Sequence, residues 1–404
     1  MRRVVITGIG VISPVGNTRD DFWKALVGGK SGIAPIEQFD TEKLTVKIGA
    51  EVKNFDGADH FAKSQHALLD RFSQFAVVAA REAVADSGIE ITEELSLRTA
   101  AIMGTGVGGQ NTQDDNYRRI YAEGAQRLHP FTIPRLMMNS AVSHVTMDLG
   151  IRGPSYAIAS ACASASHAIG QALQYVRSGA AEMALTGGAE SCITFGTMKG
   201  WEALRVMAPD ACRPFSADRR GMVLGEGSAV FVLETLENAQ ARGAKIYAEL
   251  AGSGMSADAG DIVEPSVDGA SRAIRGALAE AGLAPEDIDY VNAHGTATQA
   301  NDITETKALH ESFGDHAKNL AVSSTKSMHG HAMGAAGAIE CAATALAVCD
   351  GVIPPTINFT EPSDGCDLDY TPNAAREMPI RAAICNSFAF GGLNAVLALR
   401  KAEG

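Results

Sequence analysis

Ser155-Tyr-Ala-Ile-Ala-Ser-Ala-Cys162-Ala-Ser-Ala-Ser-His167-Ala-Ile-Gly-Gln-Ala-Leu-Gln-Tyr-Val-Arg-Ser-Gly179 begins by alternating small and apolar residues, as a strand does. It ends by repeating Ile169, Leu173 and Val176 at helical spacing before a glycine stop. Cys162 therefore falls where a strand turns into a helix. The unpaired N–H groups and positive dipole end of a helix favour a thiolate, the nucleophilic form of the side chain. Ala161, Ala163, Ser164, Ala165 and Ser166 leave the sulfur open to an approaching carbonyl. A buried structural cysteine is the competing reading of this segment.

The pattern extends outward from there. Strand-like runs over residues 3–12, 99–103, 183–188 and 228–233 alternate with helical runs over 19–26, 64–87 and 236–243, the signature of a layered α/β fold. A similar cycle begins at Ile246: strands over 246–251, 288–294, 320–323, 382–386 and 394–399, and helices over 270–282 and 334–349. The repetition predicts two similar halves, residues 1–245 and 246–404, packed as one body because no long linker separates them. Between Gly188 and Arg213 the chain reads as irregular, with Met198, Trp201, Leu204 and Met207 suited to line a channel or a core.

Composition excludes several classes. The chain has 404 residues, 46% of them hydrophobic, enough for a large core. A net charge of -13 disfavours a nucleic-acid binder. Seven cysteines without a CxxC pair argue against a disulfide framework and a zinc site, and for a reducing, cytoplasmic compartment. The apolar run after Met1-Arg-Arg lacks a cleavage pattern and ends at Pro14 and Gly16, as a strand and turn do. No apolar run reaches the ~20 residues of a membrane span. Gly104-Thr-Gly106-Val-Gly-Gly109 is formally GxGxxG, but a polar stretch follows where a dinucleotide site needs a strand ending in an acid. Close backbone approach is the better account of these glycines.

Chemistry comes from combining loops. His294 and His331 each follow a strand, beside glycines and off any apolar stripe. Lys326 stands just before His331, and Asp302 and Glu305, just after His294, are its candidate partners. The loop Asn386-Ser-Phe-Ala-Phe390-Gly-Gly392 offers backbone N–H groups free of bulk, as an oxyanion hole requires.

These residues match a known pattern. The Ser-Ala-Cys162 turn, Arg213-Pro-Phe, Leu224-Gly-Glu-Gly, Asn292-Ala-His294-Gly-Thr296, Ser324-Thr-Lys326-Ser-Met, Gly330-His331 with Gly334-Ala-Ala-Gly337, and Phe390-Gly-Gly-Leu-Asn394 occur in order along the chain. The sequence resembles the elongating β-ketoacyl-acyl-carrier-protein synthases of type II fatty acid synthesis, the group with a Cys-His-His site. The resemblance implies an α/β, thiolase-like fold: a duplicated five-layered α-β-α-β-α arrangement, in a homodimer.

It also implies a reaction. Cys162 would take an acyl chain from acyl carrier protein, and malonyl carrier protein would lose carbon dioxide and attack the thioester. The N–H groups of Cys162 and Phe390 would hold the oxyanion, and His294 and His331 would stabilise the enolate. Lys326, with Glu305, would keep the histidines placed, Phe390 would act as a gate, and Val107 and Trp201 would line the acyl channel. No metal, nicotinamide, nucleic acid or membrane is required. Lys63, Arg118, Arg119, Arg127 and Arg205 are candidates to grip an acidic carrier.

Some residues depart from that pattern. Ala389 and Leu393 stand where glycine and threonine are usual, His329 where threonine is usual, and Arg220 where aspartate is usual. Cys212-Arg-Pro-Phe-Ser-Ala and Thr325-Lys-Ser-Met-His resemble the rhizobial nodulation synthases. The alternatives are therefore a specialised synthase for very-long-chain, unsaturated or nodulation-factor acyl chains, and a non-condensing partner subunit. A thiolase would need CxGGG after a second cysteine, whereas Cys385 is followed by Asn-Ser-Phe.

Overall fold

The computed structural model describes residues 2–402. Ten strands, numbered along the chain, build the main sheet: β1 Val4–Ile12, β2 Thr99–Gly104, β3 Ser155–Ile158, β4 Met183–Glu190, β5 Gly227–Thr235, β6 Ala248–Ala257, β7 Tyr290–Asn292, β8 Ala321–Ser323, β9 Ala382–Ala389 and β10 Leu393–Arg400. Hydrogen bonds order them β8-β7-β9-β10-β6-β1-β5-β4-β2-β3.

One plan is used twice. From β1 outward, β5 and β4 join by antiparallel pairing, then β2 and β3 by parallel pairing. From β6 outward, β10 and β9 join antiparallel, then β7 and β8 parallel. The two units meet where β1 and β6 pair, Val5 opposite Glu249 and Ile6 opposite Ala248.

The helices that matter here are α1 Arg71–Ser87, α2 Gln110–Tyr121, α3 Ser164–Ser178, α4 Phe195–Leu204, α5 Val267–Ala281, α6 Gln299–Phe313 and α7 Ala336–Asp350. α1 covers the outer face of β1 and β5, and α5 covers β6 and β10 with α6 beside it. α3 and α7 pack on each other between the two units. The result is five layers, helix, sheet, helix, sheet, helix, in which the two sheet layers are the two halves of the one ten-stranded sheet, joined where β1 pairs with β6.

The central layer forms because its residues are small. Every residue of α7 from Ala336 to Val348 is buried. A Cβ added at Gly337 would lie 2.1 Å from Ser166 Oγ of α3, so glycine sets the helix spacing there. Ser166 Oγ also meets Ser387 Oγ of β9 at 2.8 Å, tying the halves by a polar contact inside an apolar layer. With its preceding turn, the stretch Met333–Asp350 has 18 residues and a mean hydropathy of 1.3, enough for a membrane span by length and composition. This differs from the expectation that no apolar run approaches the length of a membrane span. Since 89% of the stretch is buried inside the protein, it is a core helix.

Three local expectations change. The helix expected over 64–87 is broken: residues 63–66 form a separate turn, and buried Asp70 caps α1 by accepting from Phe72 N at 3.2 Å. The stretch expected to be irregular contains α4, whose cap Thr194 accepts from Thr197 N. A helix does open after Gly104–Gly109, at Gln110, but the N–H groups of Gly106 and Val107 are taken by the Glu190 carboxylate at 2.6 and 3.4 Å. A pyrophosphate would find those donors occupied. A Cβ at Gly104 would lie 2.3 Å from Ala165 N, so this glycine lets β2 touch the start of α3.

That contact gives a test. Gly104→Ala must push α3 away from β2, and should destabilise the protein by about 3 kcal/mol, the upper range for overpacking. A urea midpoint equal to that of the unaltered protein would show that α3 is not seated on β2.

Candidate active site

Cys162 sits in the bend between β3 and α3. Ala161 adopts φ +48°, a conformation non-glycine residues rarely take. Ser164 holds the bend, its Oγ accepting from Ser160 N at 2.8 Å and donating to Ala161 O at 2.7 Å. The sulfur is thereby turned away from the sheet, towards residues from the second half.

His331 Nε2 lies 3.1 Å from Cys162 Sγ. Its backbone is fixed by a short parallel bridge to Leu224: His331 N donates to Val223 O at 2.7 Å, and Gly225 N donates to His331 O at 2.9 Å. The Leu224-Gly-Glu-Gly stretch thus serves to place a histidine over 100 residues later in the chain. The His294 ring stands edge-on to that of His331, centroids 5.4 Å apart at 85°. One ligand atom from each of Cys162, His294 and His331 falls within a mutual 4.8 Å.

Lys326 lies beneath His294, fully buried. Its Nζ donates to His294 O at 2.6 Å and stands 3.4 Å from His294 Nδ1. The expected ion pair with Glu305 is not what forms. Lys326 pairs with Glu340 of α7, a residue the sequence reading missed. A lone carboxylate within the alanine-rich run 335–348 was the available signal, since a charge there must find a buried partner.

Glu305 instead accepts from the backbone N–H groups of His294 and Gly295, both at 2.8 Å, and from Asn386 Nδ2 at 3.0 Å. Asp302 accepts from Phe215 N at 2.7 Å and Ala297 N at 3.2 Å, with Arg219 3.5 Å away. Both acids hold the His294 loop through its backbone and neighbours rather than by pairing with the lysine.

The Phe390 backbone N–H, in the turn between β9 and β10, favours the thiolate form of Cys162. Phe390 is 36% exposed, and its ring packs on that of Trp201, centroids 5.7 Å apart. Ala389 stays within the β9–β10 ladder opposite Leu393 and does not take a left-handed conformation, so its methyl is accommodated. His329 is buried with both ring nitrogens engaged by its own loop, Nδ1 on Gly330 O and Nε2 on Thr325 Oγ1, each at 2.9 Å. It does not reach the cysteine cluster.

Electrostatics follow from burial. Desolvation, with Lys326 adding to it, keeps both His294 and His331 well below the usual histidine range, so the rings are neutral. Burial pushes Glu340 up to about 7, against the pull of Lys326. Burial also pushes the Cys162 thiol up to about 12, opposed by Lys326 and the Phe390 N–H. A helix start by itself favours a thiolate. Cys162 is only 5% exposed, two residues ahead of α3, and loss of solvation outweighs the helix field there.

A cavity of about 490 Å³ leads to these groups, lined by Cys162, His294, His331, Phe390, Trp201 and Thr296 among others, with Arg205 and Arg220 also on its wall. Behind the cysteine lies a mostly apolar cluster that includes Ile193, Met198, Met207 and Met333, with Val107 and Trp201 against it. Of the basic candidates, only Arg205 lines this cavity. Arg118 is paired with Asp115 and Glu123, Arg119 lines a separate polar cleft, and Lys63 and Arg127 are exposed elsewhere on the surface.

The family model for the β-ketoacyl synthase N-terminal domain matches residues 1–239, and that for the C-terminal domain matches residues 247–360. The chain belongs to the β-ketoacyl synthase family. It is an acyl-transferring condensing enzyme with a thiolase-like fold. It is 48% identical over 400 residues to nodulation protein E of a Rhizobium species, covering 99% of both chains. It is 43% identical over 408 residues to 3-oxoacyl-[acyl-carrier-protein] synthase 2 of a Synechocystis species, covering 99% of this chain and 98% of the relative. Among solved structures, the ishigamide ketosynthase/chain length factor superposes over the full length of both chains with a TM-score of 0.95 at 38% identity. A type II polyketide ketosynthase in complex with its acyl-carrier protein does so with a TM-score of 0.89 at 31% identity.

The raised thiol has a measurable consequence. With Cys162 protonated at neutral pH, its alkylation by iodoacetamide should rise roughly tenfold per pH unit from pH 7 to 10, tracking the thiolate fraction. A plateau already reached at pH 7 would show that the helix start and Lys326 win after all.

Proposed function

We propose that this synthase condenses an acyl group held on Cys162 with a malonyl group delivered by acyl carrier protein. The observation that carries the reading is the meeting of one thiol and two imidazoles at the end of a cavity, with Phe390 also on its wall. In the first stage the sulfur attacks the acyl thioester as its proton passes to His331 Nε2, 3.1 Å away. The N–H groups of Cys162 and Phe390 face the oxygen that becomes negative. The carrier's thiol leaves with the proton, and the acyl chain lies among the apolar side chains near Val107 and Trp201.

In the second stage the malonyl thioester oxygen lies between His294 and His331. The His294 N–H there, joined by His331 once its single ring proton sits on the cavity-facing nitrogen, stabilises the enolate as the carbon–carbon bond to the carboxylate breaks and carbon dioxide departs. The enolate carbon then attacks the acyl carbonyl, and Cys162 leaves as the thiolate, releasing the 3-oxoacyl product. Lys326 and Glu340 hold His294 from below, and Glu305 fixes its backbone. Phe390 and Trp201 form the gate between arm and chain.

Arg205 on the cavity wall is the basic residue placed to meet an acidic carrier, and the carrier complex of a structural relative supports that partner. A homodimer is supported by β3 at the free edge of the sheet and by exposed Tyr117, Tyr121, Phe131 and Ile133 in the segment before it. Seven free cysteines suit a reducing, cytoplasmic compartment. A second reading, a specialised rather than housekeeping acyl substrate, is supported by 48% identity to a nodulation protein E against 43% to a 3-oxoacyl synthase 2.

Peptide mass spectrometry after mixing with acyl carriers of graded chain length should find the acyl group on Cys162, and the preferred length separates the two readings. Cys162→Ala should abolish transfer. His294→Ala should lower malonyl decarboxylation by at least about 100-fold, the usual scale for a lost transition-state donor, while acyl transfer continues. Equal loss of both steps would contradict the assigned division of labour.

A further inference from the structure

One thiol and two imidazoles with their ligand atoms within 4.8 Å are the donor set of a tetrahedral zinc or cobalt site. The cavity touches all three side chains, so an ion has a way in. A cysteine bound to such an ion would not be free to accept an acyl group. The chain therefore brings together a metal-binding triad that its chemistry cannot tolerate loaded.

The feature that opposes capture lies on the far side of His294. An ammonium carries three donors and no acceptor. Lys326 Nζ spends one donor on His294 O at 2.6 Å and one on Glu340, and stands 3.4 Å from His294 Nδ1. Nδ1 facing an ammonium takes the acceptor role, which puts the ring proton on Nε2. Ligation through Nε2 would require the other tautomer, with Nδ1–H aimed at the ammonium and a further cation added nearby. Metal-binding imidazoles normally donate that far N–H to a carboxylate, a carbonyl or water. Here a cation occupies the place.

We propose that Lys326 protects the Cys162–His294–His331 cluster from zinc-class cations by fixing His294 in the tautomer whose cavity-facing nitrogen is an N–H donor. Cys162 and His331 then offer two ligands, one short of the three protein ligands of an open zinc site. The same tautomer is the one that donates to a thioester oxygen, so a single contact serves both purposes. The inference rests on the positions of these side chains and not on the assigned reaction.

The test uses the full-length, reduced protein without substrate, so its outcome is separate from that of the acyl-transfer experiment. Co²⁺ is titrated by absorbance, and Zn²⁺ in competition with a chromogenic chelator. Lys326→Gln gives Nδ1–H an amide oxygen to donate to, and Lys326→Met/Glu340→Gln removes the buried charges together in case the single change fails to fold. Whichever variant is folded by circular dichroism should bind one Co²⁺ with a thiolate-to-cobalt charge-transfer band and a Kd at least about 10-fold below that of the unaltered protein. Adding Cys162→Ala should remove the band. The proposal is overturned if the unaltered protein gives the same band at the same Kd, if a folded variant binds no more tightly, or if the band survives Cys162→Ala.

Discussion

A single buried ammonium organises the reacting end of this molecule. Lys326 is fully enclosed, and an unpaired charge there would be prohibitively costly, so the surrounding elements must supply its partners. They come from two residues: Glu340 on α7, and His294 after β7, through both its carbonyl and its ring. Meeting that one requirement brings the central helix and both histidine loops into a fixed relation. The nucleophile, carried by the other half, is then positioned against them by the contact between α3 and α7.

The division between halves is also a division of chemical work. The first unit supplies the strained bend that presents Cys162, and its Leu224 bridge holds His331 by backbone pairing. The second supplies the imidazoles, the lysine and the Phe390 turn. Glu190 stitches the two together from beneath, accepting from Gly106 N and Thr105 Oγ1 of one half and Gly334 N of the other. Burial and the charge beside His294 make the rings neutral donors, while burial, with Glu190 and Glu340 nearby, keeps the resting thiol protonated.

Much of this was legible in the sequence because it is local. The strand-to-helix bend at Cys162, the histidines placed after strands and beside glycines, and the doubled series of elements all follow from short-range periodicity. What was not legible depends on elements far apart in the chain. Glu305, near His294 in sequence, is one candidate partner for Lys326, yet its carboxylate is spent on two backbone N–H groups. Glu340, nearer to Lys326 in the chain than Glu305 but hidden in an alanine-rich helix, reaches the lysine because α7 crosses beneath the β7 loop. The state of the Cys162 thiol depends on how deeply both halves enclose it, which no window around Cys162 contains. The break before α1 turned on whether Asp70 capped or continued a helix, and its burial decided the matter.

The central helix has a consequence for how the chain comes into being. α7 has no solvent face along most of its length, and α3 owes much of its cover to α7. The ribosome releases the N-terminal half first, with one surface of α3 still bare, until α7, more than 150 residues beyond the end of α3, emerges to cover it. Domains of this size fold as units during synthesis, and a half-finished interface is prone to premature association. Small alanine, serine and glycine side chains on α3 make that waiting surface smooth and only weakly adhesive, so the residues that permit close packing in the finished enzyme also moderate the hazard of its assembly.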